Sequence, residues 1–366
     1  MRIGLVIYGD LAQVSGGYLY DRKLVEHLRG RGDEVLVFSQ PQRPYPLGLV
    51  DTLDRSFWNR LRSSELDLLL QDELNHASLA LGNYGLRRHL DAPIVAIVHH
   101  LRAEEQRSAL SSALSRVLER LFLQTADACI YNSRSTKRSA EALAGERPNV
   151  IARPSGRRFG PPVSPEHVSE RAGSDGPLQL LFVGNLTPRK RLHLLIDGLA
   201  QIQSTNWTLE VVGDPSADEA YTATVRQSIR RLDDPSRVTL HGQVPDADLE
   251  QLLDASHALA VPSSHEGYGI VYVEAMGRGL PVLASPNGGV RDVVSDGDTG
   301  YFVETAADIA AAVDAWATDR EHLAEMGRAA VTQYEATPTW PETCRRIASF
   351  LDRIARRSPS ESLRTS

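Results

Sequence analysis

Short apolar runs alternate with segments of helical periodicity along the whole chain, and this alternation constrains the fold more than any other feature. The sequence predicts twelve strands: 2–8, 34–39, 67–70, 94–98, 129–131, 150–151, 178–183, 207–212, 238–240, 258–261, 281–284 and 300–303. Strands that alternate with helices pair in parallel and are covered by helices on both faces. A glycine loop from Gly9 to Gly17 is expected after the first strand, and residues 309–333 are expected to be helical. We therefore expect an α/β fold built on parallel sheets.

The alternation is interrupted once, and this interruption predicts two domains. Residues 160–176 are rich in Pro, Gly and Ser and show no apolar period, as expected for a linker. The predicted organisation is an N-terminal domain at 1–160, a linker at 161–176, a C-terminal domain at 177–337, a last helix at 338–356 and a disordered tail at 357–366. Both domains are expected to be doubly wound and Rossmann-like.

Composition excludes several classes of function. The chain has 366 residues and a net charge of -7, with a sequence pI near 5.9, which argues against a nucleic-acid-binding protein. Its two cysteines, Cys129 and Cys344, provide neither a disulfide framework nor a metal cluster. The first residues form a strand pattern instead of a signal peptide, and no apolar run is long enough to span a membrane. We expect a cytoplasmic protein.

The stretch VPSSHEGYGIVYVEAM, from Val261 to Met276, is the strongest candidate site. Glu266 and Glu274 bracket a turn and the start of a helix, predicted near Tyr268, where orphan amides favour an anion. An anionic ligand with hydroxyls, such as a sugar nucleotide, fits this pattern. A capped helix with two surface glutamates fits it equally well. In a continuous helix the two glutamates would lie about 12 Å apart, too far for a glycosidase pair.

A cluster of cations follows the predicted strand at 178–183. The segment GNLTPRKR places Arg189, Lys190 and Arg191 at a strand end, where they could hold a diphosphate and stabilise it as it leaves. The segment is not a Walker A loop, because no Gly precedes Lys190 and no Ser or Thr follows it. The alternative is an ordinary basic helix start, which the helix dipole disfavours.

Two other features leave alternatives open. His99 and His100 end a predicted strand, so one side chain can face a ligand while the other packs locally. Residues 50–61 have apolar residues at helical spacing, which predicts a core-facing helix or, alternatively, a lid that meets an acceptor or a membrane surface. The basic residues that permit membrane association are Arg55, Arg60, Arg62, Arg87 and Arg88.

The segments just described resemble a known family. EGYGIVYVEAMGRGLPVLAS is similar to the Glu-x7-Glu region of retaining glycosyltransferases with the GT-B fold, those of glycosyltransferase family 4. FVGNLTPRKRLHLLIDGL, HGQV and PNGGVRDVVSDGDTGYFV follow the order and spacing of that family's other signatures. The N-terminal half matches more weakly, through Gly16-Gly17, VHH at 98–100 and YNSRSTK at 131–137. The resemblance implies two domains that face a central cleft, with a C-terminal helix that crosses back to the first domain.

The resemblance also implies roles in donor binding. It makes Glu266, Lys190 and His99 catalytic, with His100 as the alternative histidine. Glu266 would bond the donor sugar, Lys190 the diphosphate, and Glu274 the nucleotide ribose. The remaining residues that it places on the donor are Gly16, Gly17, Gly184, Asn185, Arg189, Val244, Gly267, Tyr268, Gly269 and Ile270.

One departure from the family pattern concerns Asn185, because many members have Arg at this position. Phosphate binding would then fall to Arg189 beside Lys190. The expected reaction is metal-independent transfer, with retention, from a UDP- or GDP-sugar to an unidentified hydroxyl, without a cofactor. A sugar-nucleotide epimerase and a non-catalytic sugar-nucleotide-binding regulator are the alternatives. The acceptor, membrane-surface association at the inner face and the oligomeric state are left open by the sequence.

Overall fold

The structure, a computed structural model, describes residues 1–13, 15–43, 47–104, 109–202 and 206–356. It divides the chain into two compact units, one formed by Met1–Pro154 with the chain from Thr339 onward, the other by Ser155–Pro338. Each unit contains one six-stranded parallel sheet. The tail predicted to be disordered, 357–366, lies outside the described residues. Among the described helices, none is both long and apolar enough to cross a bilayer.

The sheet of the first unit has the strand order β2-β1-β3-β4-β5-β6. Its strands are β1 Arg2–Tyr8, β2 Glu34–Gln40, β3 Leu68–Asp72, β4 Ile94–Val98, β5 Ala128–Tyr131 and β6 Asn149–Ile151. β1 lies between β2 and β3, with Leu5 in register with Val37 and Leu70. All residues of β3 and β4 are buried, which explains why β4 and the first three residues of β3 are apolar without alternation.

The sheet of the second unit has the strand order β12-β11-β10-β7-β8-β9. Its strands are β7 Leu178–Val183, β8 Trp207–Val212, β9 Val238–Gly242, β10 Ala258–Val261, β11 Val282–Ala284 and β12 Gly300–Phe302. β7 and β10 are neighbours although about eighty residues separate them in sequence. The parallel α/β fold is therefore confirmed in both units.

Helices connect successive strands. The α-helices are α1 Gly16–Gly30, α2 Arg55–Arg62, α3 His76–Leu86, α4 Ala109–Thr125, α5 Arg134–Ala144, α6 Pro165–Ala172, α7 Leu192–Leu199, α8 Glu219–Arg230, α9 Asp246–Ala255, α10 Ile270–Gly277, α11 Ala306–Thr318, α12 Arg320–Glu335 and α13 Trp340–Ala355. The last helix, α13, packs against α1, as predicted. A capping box between Thr339 and Glu342 fixes its start.

Three predictions about helices were wrong. The stretch predicted to be an irregular linker contains α6, because Ser164 caps it, Pro165 occupies its first turn, and Val168 is buried. The single helix predicted over 309–333 is two helices, since Asp319 both ends α11 and caps α12 by accepting the His322 N–H. The glycine loop after β1 is shorter than predicted, because α1 already begins at Gly16 behind the Ser15 cap.

The predicted helix over 50–61 is split into a 3₁₀ helix, Leu47–Leu53, and α2. Asp54 separates the two by capping α2 through the Phe57 N–H. Phe57, Trp58 and Leu61 are buried in the core of the first unit, so the core-facing interpretation is confirmed for α2.

Strand order reverses once in each sheet, and this reversal positions the candidate sites. In the first sheet the chain leaves β1 for β2 on one side and then returns to β3 on the other. In the second sheet the same reversal lies between β7 and β10. Loops at the carboxyl ends of such neighbours diverge and leave a crevice for a ligand.

Candidate functional site

The loops after β7 and β10 meet at the reversal point of the second sheet, and they bring Lys190 and Glu266 together. Lys190 Nζ donates to Glu266 Oε1 at 2.7 Å. The lysine stem runs over Gly184, where a Cβ would approach Lys190 Cε to 2.9 Å. Glu266 is 8% exposed. The predicted carboxylate and the predicted cation are therefore a buried ion pair.

Arg189 completes this cluster from the same loop as Lys190. Its Nη1 lies 3.1 Å from Glu266 Oε1 and donates to the His265 carbonyl at 2.8 Å. In return, the Ser264 N–H donates to the Arg189 carbonyl at 2.7 Å. The two loops are thus joined through both side chains and backbone, and two cations surround one carboxylate.

The charges of the cluster depend on each other. Burial raises the pKa of Glu266, but Lys190 and Arg189 outweigh it and hold the pKa well below its usual range. Burial lowers the pKa of Lys190, and the Glu266 carboxylate partly offsets this effect. A buried carboxylate with two adjacent cations stays ionised across the neutral range, and so can accept hydrogen bonds from ligand hydroxyls.

The PNGG segment after β11 contacts the backbone of Glu266. Gly288 pairs with Glu266 as a parallel bridge, and the Gly289 N–H donates to the Glu266 carbonyl at 2.7 Å. A Cβ on Gly288 would lie 2.1 Å from the Glu266 carbonyl oxygen, and one on Gly289 would lie 2.1 Å from that of Gly267. Only glycine permits this backbone contact, which fixes the position of the Glu266 loop relative to the segment after β11.

Helix α10 begins at Ile270, two residues later than the sequence predicted. Its N-cap, Gly269, has φ +90°, and a Cβ there would collide with the Tyr272 ring. No side chain caps this helix start. The Tyr272 hydroxyl donates to the Val261 carbonyl at 2.8 Å and ties the helix to β10. The start of α10, at Ile270 and Val271, is thus a helix N-terminus without a side-chain cap, which favours an anion.

Glu274, in the middle of α10, faces a residue that the sequence reading missed. Arg158 Nη1 lies 3.6 Å from Glu274 Oε1, and Arg158 also pairs with Asp246 at the start of α9. Burial raises the pKa of Glu274 to about 7, and Arg158 partly counteracts it. Nearby, a Cβ on Gly156 would lie 2.8 Å from the Glu274 amide nitrogen. The only signal in the sequence was a glycine among arginines, RPSGRRFG.

Two further residues, Asn185 and Val244, were predicted to contact the nucleotide-sugar donor. Asn185 is exposed, and its side-chain oxygen accepts the Asp214 N–H at 3.3 Å in the loop after β8. Val244 follows β9 and precedes Pro245, the N-cap of α9. The Asp246–Arg158 pair connects this segment to the Glu274 region.

In the first unit, the structure brings His99 to the glycine-rich start of α1. A Cβ on Gly17 would lie 3.4 Å from His99 Cδ2, and the Tyr20 ring meets the imidazole edge-on at 5.2 Å. His99 Nε2 lies 3.5 Å from Asp21 Oδ1, and Asp21 is completely buried. His100, the alternative, is only half-buried. The sequence reading missed Asp21, which lies within an ordinary helical pattern.

The acidic surroundings determine the charge of His99. Burial lowers the pKa of His99, but Asp21, with Asp72 and Glu73 behind it, raises the pKa to about 9. Burial, followed by Asp21, raises the pKa of the Asp72 carboxyl to about 7. His99 is therefore an imidazolium at neutral pH, paired with Asp21.

Two groups of side chains in the first unit have a donor set that could hold a metal ion. The ligand atoms of Asp21, Asp72 and His99 lie within 4.8 Å of one another, and so do those of Glu73, His76 and Glu119. In the second group, Glu119 accepts the backbone N–H groups of Arg102 and Ala103. The sequence-based expectation of a metal-free site stays a prediction.

Comparison with known proteins identifies the family of both halves. The family model described as glycosyl transferases group 1 matches residues 165–333, and the one described as glycosyltransferase family 4 matches residues 19–154. A D-inositol 3-phosphate glycosyltransferase of Nocardia farcinica is 30% identical over 268 residues, which cover 69% of this chain and 59% of that protein. The chain spans about half the length of the first curated relatives it matches.

Solved structures show the same fold. Sucrose-phosphate synthase from Thermosynechococcus elongatus matches with a TM-score of 0.82 at 20% identity, covering 96% of this chain and 98% of that one. Anabaena Alr3699/HepE, solved in complex with UDP-glucose, matches with a TM-score of 0.76 at 22% identity, covering 96% and 100%. The fold predicted from the sequence resemblance, GT-B, is confirmed.

The raised pKa of Glu274 predicts a pH-dependent stability. The folded protein holds a proton that the unfolded chain releases near pH 4.5, so this carboxyl lowers stability as pH rises from there to about 7, by about 3 kcal/mol. Glu274→Gln should therefore stabilise the protein at about pH 8 and leave it almost unchanged near pH 4.5. Chemical denaturation at both pH values measures this, with the exposed Glu219→Gln as control. An equal gain at both pH values would contradict it.

The pairing of His99 with Asp21 predicts that Asp21→Asn lowers the pKa of His99 from about 9 toward the ordinary value. The amide keeps the shape of the carboxylate but removes the negative charge nearest to the imidazole. Titration of histidine-labelled protein by NMR measures the change. Glu26→Gln, on the same helix but exposed, is the matched control. An unchanged His99 titration in Asp21→Asn would show that the pair does not set the charge.

Proposed function

We propose that this chain, a member of glycosyltransferase family 4, transfers a sugar from a nucleotide-sugar donor to a hydroxyl acceptor with retention and without a metal ion. The observation that supports this most strongly is the cluster at the strand-order reversal of the second sheet. There Lys190 and Arg189 converge on the buried carboxylate of Glu266. The cluster provides cations for a diphosphate beside an acceptor for sugar hydroxyls.

The two cations have the charge that a departing diphosphate requires. As the bond to the sugar breaks, negative charge grows on the leaving phosphate, and preorganised cations in a water-poor site stabilise it. Lys190 has a 12% exposed side chain, so its interaction with phosphate is only weakly screened. This electrostatic contribution takes the place of a metal ion in the proposal, and the leaving phosphate itself removes the acceptor proton.

Glu266 has a second role when the donor binds. In the structure, Glu266 Oε1 forms ion pairs with both cations. A diphosphate that draws Lys190 and Arg189 toward itself leaves this carboxylate to accept hydrogen bonds from the sugar hydroxyls. Each partner then exchanges one charged contact for another, so that the buried carboxylate is never left without a donor.

The region around Glu274 fits the nucleoside. We assign Glu274 to the ribose hydroxyls and Val244 to the base, with the amides of residues 267–270 on the sugar and the distal phosphate. Arg158 would orient Glu274 by its contact at 3.6 Å. The complexes of Anabaena Alr3699/HepE with UDP and UDP-glucose favour a uridine donor, and a GDP-sugar is the alternative.

In the first unit, we assign His99 to the donor sugar and Gly16 and Gly17 to the approach of the diphosphate and acceptor. An imidazolium beside two glycines is a suitable neighbour for an anion. The acceptor is a hydroxyl of a glycan, a glycolipid precursor or a small molecule.

Glu266→Gln provides the first test. Transfer should fall about 100- to 1,000-fold, while binding of UDP alone should be retained or become tighter, because the cations no longer have a competing carboxylate. Formation of the transfer product measures activity, and thermal shift measures donor binding. Both are carried out with UDP-, GDP-, ADP- and dTDP-sugars, each with and without EDTA. Donor binding without turnover by the wild-type protein would favour a non-catalytic regulator. Interconversion of the donor sugar would favour an epimerase.

Arg189→Ala tests whether Arg189 replaces the family arginine that is Asn185 in this chain. Donor affinity should fall about ten- to a hundredfold, because a charged hydrogen bond to phosphate is lost. Isothermal titration with the donor found in the thermal-shift panel measures the effect. Arg230→Ala, an exposed arginine on α8, is the control. Unchanged donor affinity in Arg189→Ala would refute the assignment.

A further inference from the structure

The exposed apolar side chains are concentrated in one region of the first unit. Among the described residues, nine large apolar side chains are exposed, and eight of them lie on three elements: the 3₁₀ helix Leu47–Leu53, α3 and α4. We call these eight the apolar surface: Leu47, Val50, Leu53, Leu81, Tyr84, Leu110, Leu114 and Val117. The ninth, Leu240, belongs to β9 in the second unit. Scattered exposed leucines are ordinary, but such a concentration is not.

The three elements adjoin one another. Helix α3 packs against both the 3₁₀ helix and α4, so it lies at the centre of the group. Leu81 and Tyr84, three residues apart on α3, are each about half exposed. The apolar surface therefore belongs to one packed layer of helices and not to separate loops.

Helix α4 has the most unusual pattern. Leu110, Leu114 and Val117 recur at spacings of four and three residues, which places them on one face, and they are 86%, 41% and 56% exposed. The opposite face is already used, since Phe122 and Leu123 are buried in the core of the unit. A helix at a water-facing surface normally has a polar outer face. α4 instead has a second apolar stripe.

The charges on these elements have one sign at the surface. The three elements contain two acidic residues, Asp51 and Glu119, and both are buried. Asp51 pairs with Arg43, and Glu119 accepts backbone N–H groups. On α4 the exposed charged residues are Arg116 and Arg120, which both lie along one side of the apolar stripe. An apolar stripe with cations along one side, on elements whose acidic residues are buried, is complementary to an anionic apolar interface.

We infer that the apolar surface docks on the interface of a membrane that contains anionic lipids. Leu110, Leu114 and Val117 enter the boundary between headgroups and acyl chains, while Arg116 and Arg120 extend to the lipid phosphates. Long arginine side chains can keep the guanidinium in the headgroup layer as the helix settles. Tyr84 has the amphipathic ring that such interfaces favour.

The assignment differs from the one that the sequence suggested. The helix considered there was 50–61, with Arg55, Arg60 and Arg62 as the cations. In the structure the apolar residues of α2 face the core, and the exposed stripe belongs to α4. The docking surface involves none of the residues assigned to the donor, so it is independent of the transfer reaction. It would bring the first unit, with His99 and the acceptor side, to acceptors held in the bilayer.

Vesicle co-sedimentation of the full chain tests the inference. The protein should bind vesicles that contain about one-third phosphatidylglycerol and bind phosphatidylcholine vesicles much more weakly, because the cations lose their partners. Binding should weaken between about 0.05 M and 0.5 M salt. The partition coefficient of the triple variant Leu110→Ser, Leu114→Ser, Val117→Ser onto anionic vesicles should be at least about tenfold lower than that of the wild-type protein. Arg116→Gln with Arg120→Gln should lose about thirtyfold on anionic vesicles and little on neutral ones.

Matched controls come from the second unit. Leu240→Ser changes the one exposed large apolar residue outside the surface among the residues that the structure describes, and Arg230→Gln with Arg231→Gln removes two exposed arginines. Both controls should bind vesicles like the wild-type protein, and thermal melts confirm that all variants fold. Failure of the wild-type protein to bind anionic vesicles, or wild-type binding by the triple variant, would overturn the inference. Sedimentation velocity that shows a dimer abolished by the triple variant would assign the surface to a second copy instead.

Discussion

The buried ion pair between Glu266 and Lys190 is the interaction on which the arrangement of the second unit depends. A carboxylate removed from water needs a cation and several hydrogen bonds, or it costs several kcal/mol. Here the loop after β7 supplies the cations, the loop after β10 supplies the carboxylate, and the loop after β11 supports its backbone. Three strand ends are thereby fixed relative to one another at the point where strand order reverses.

The sequence predicted the sheets well because buried parallel strands are apolar runs with sharp ends. The bounds of β1, β4, β7, β8 and β10 agree residue for residue with the prediction. Helix ends were predicted less well, since they depend on single capping contacts. Asp319, for example, divides one apolar period into two helices by accepting one N–H. The helix α6 was missed because its short apolar face, Val168 and Ala172, is too small to produce a visible period.

The sequence identified individual residues of the candidate site, but it did not predict their pairings and it missed Arg158 and Asp21. Lys190 and Glu266 are 76 residues apart, and only the adjacency of β7 and β10 brings them together. Arg158 belongs to a basic run without periodicity, so no pattern connected it with Glu274. Asp21 has the spacing of a helix interior, so no sequence pattern connected it with His99. The two side chains meet because β4 and α1 lie in one unit. Sequence motifs identify groups that can do chemistry, whereas tertiary contacts determine their charge.

The contact of Gly288 and Gly289 with the carbonyls of residues 266 and 267 limits how such a site can change. Backbone meets backbone there, with a Cβ excluded at both glycines. The spacing of the two loops therefore cannot be adjusted by exchanging one side chain for a slightly larger one. A larger residue at either glycine would have to displace the Glu266 loop itself.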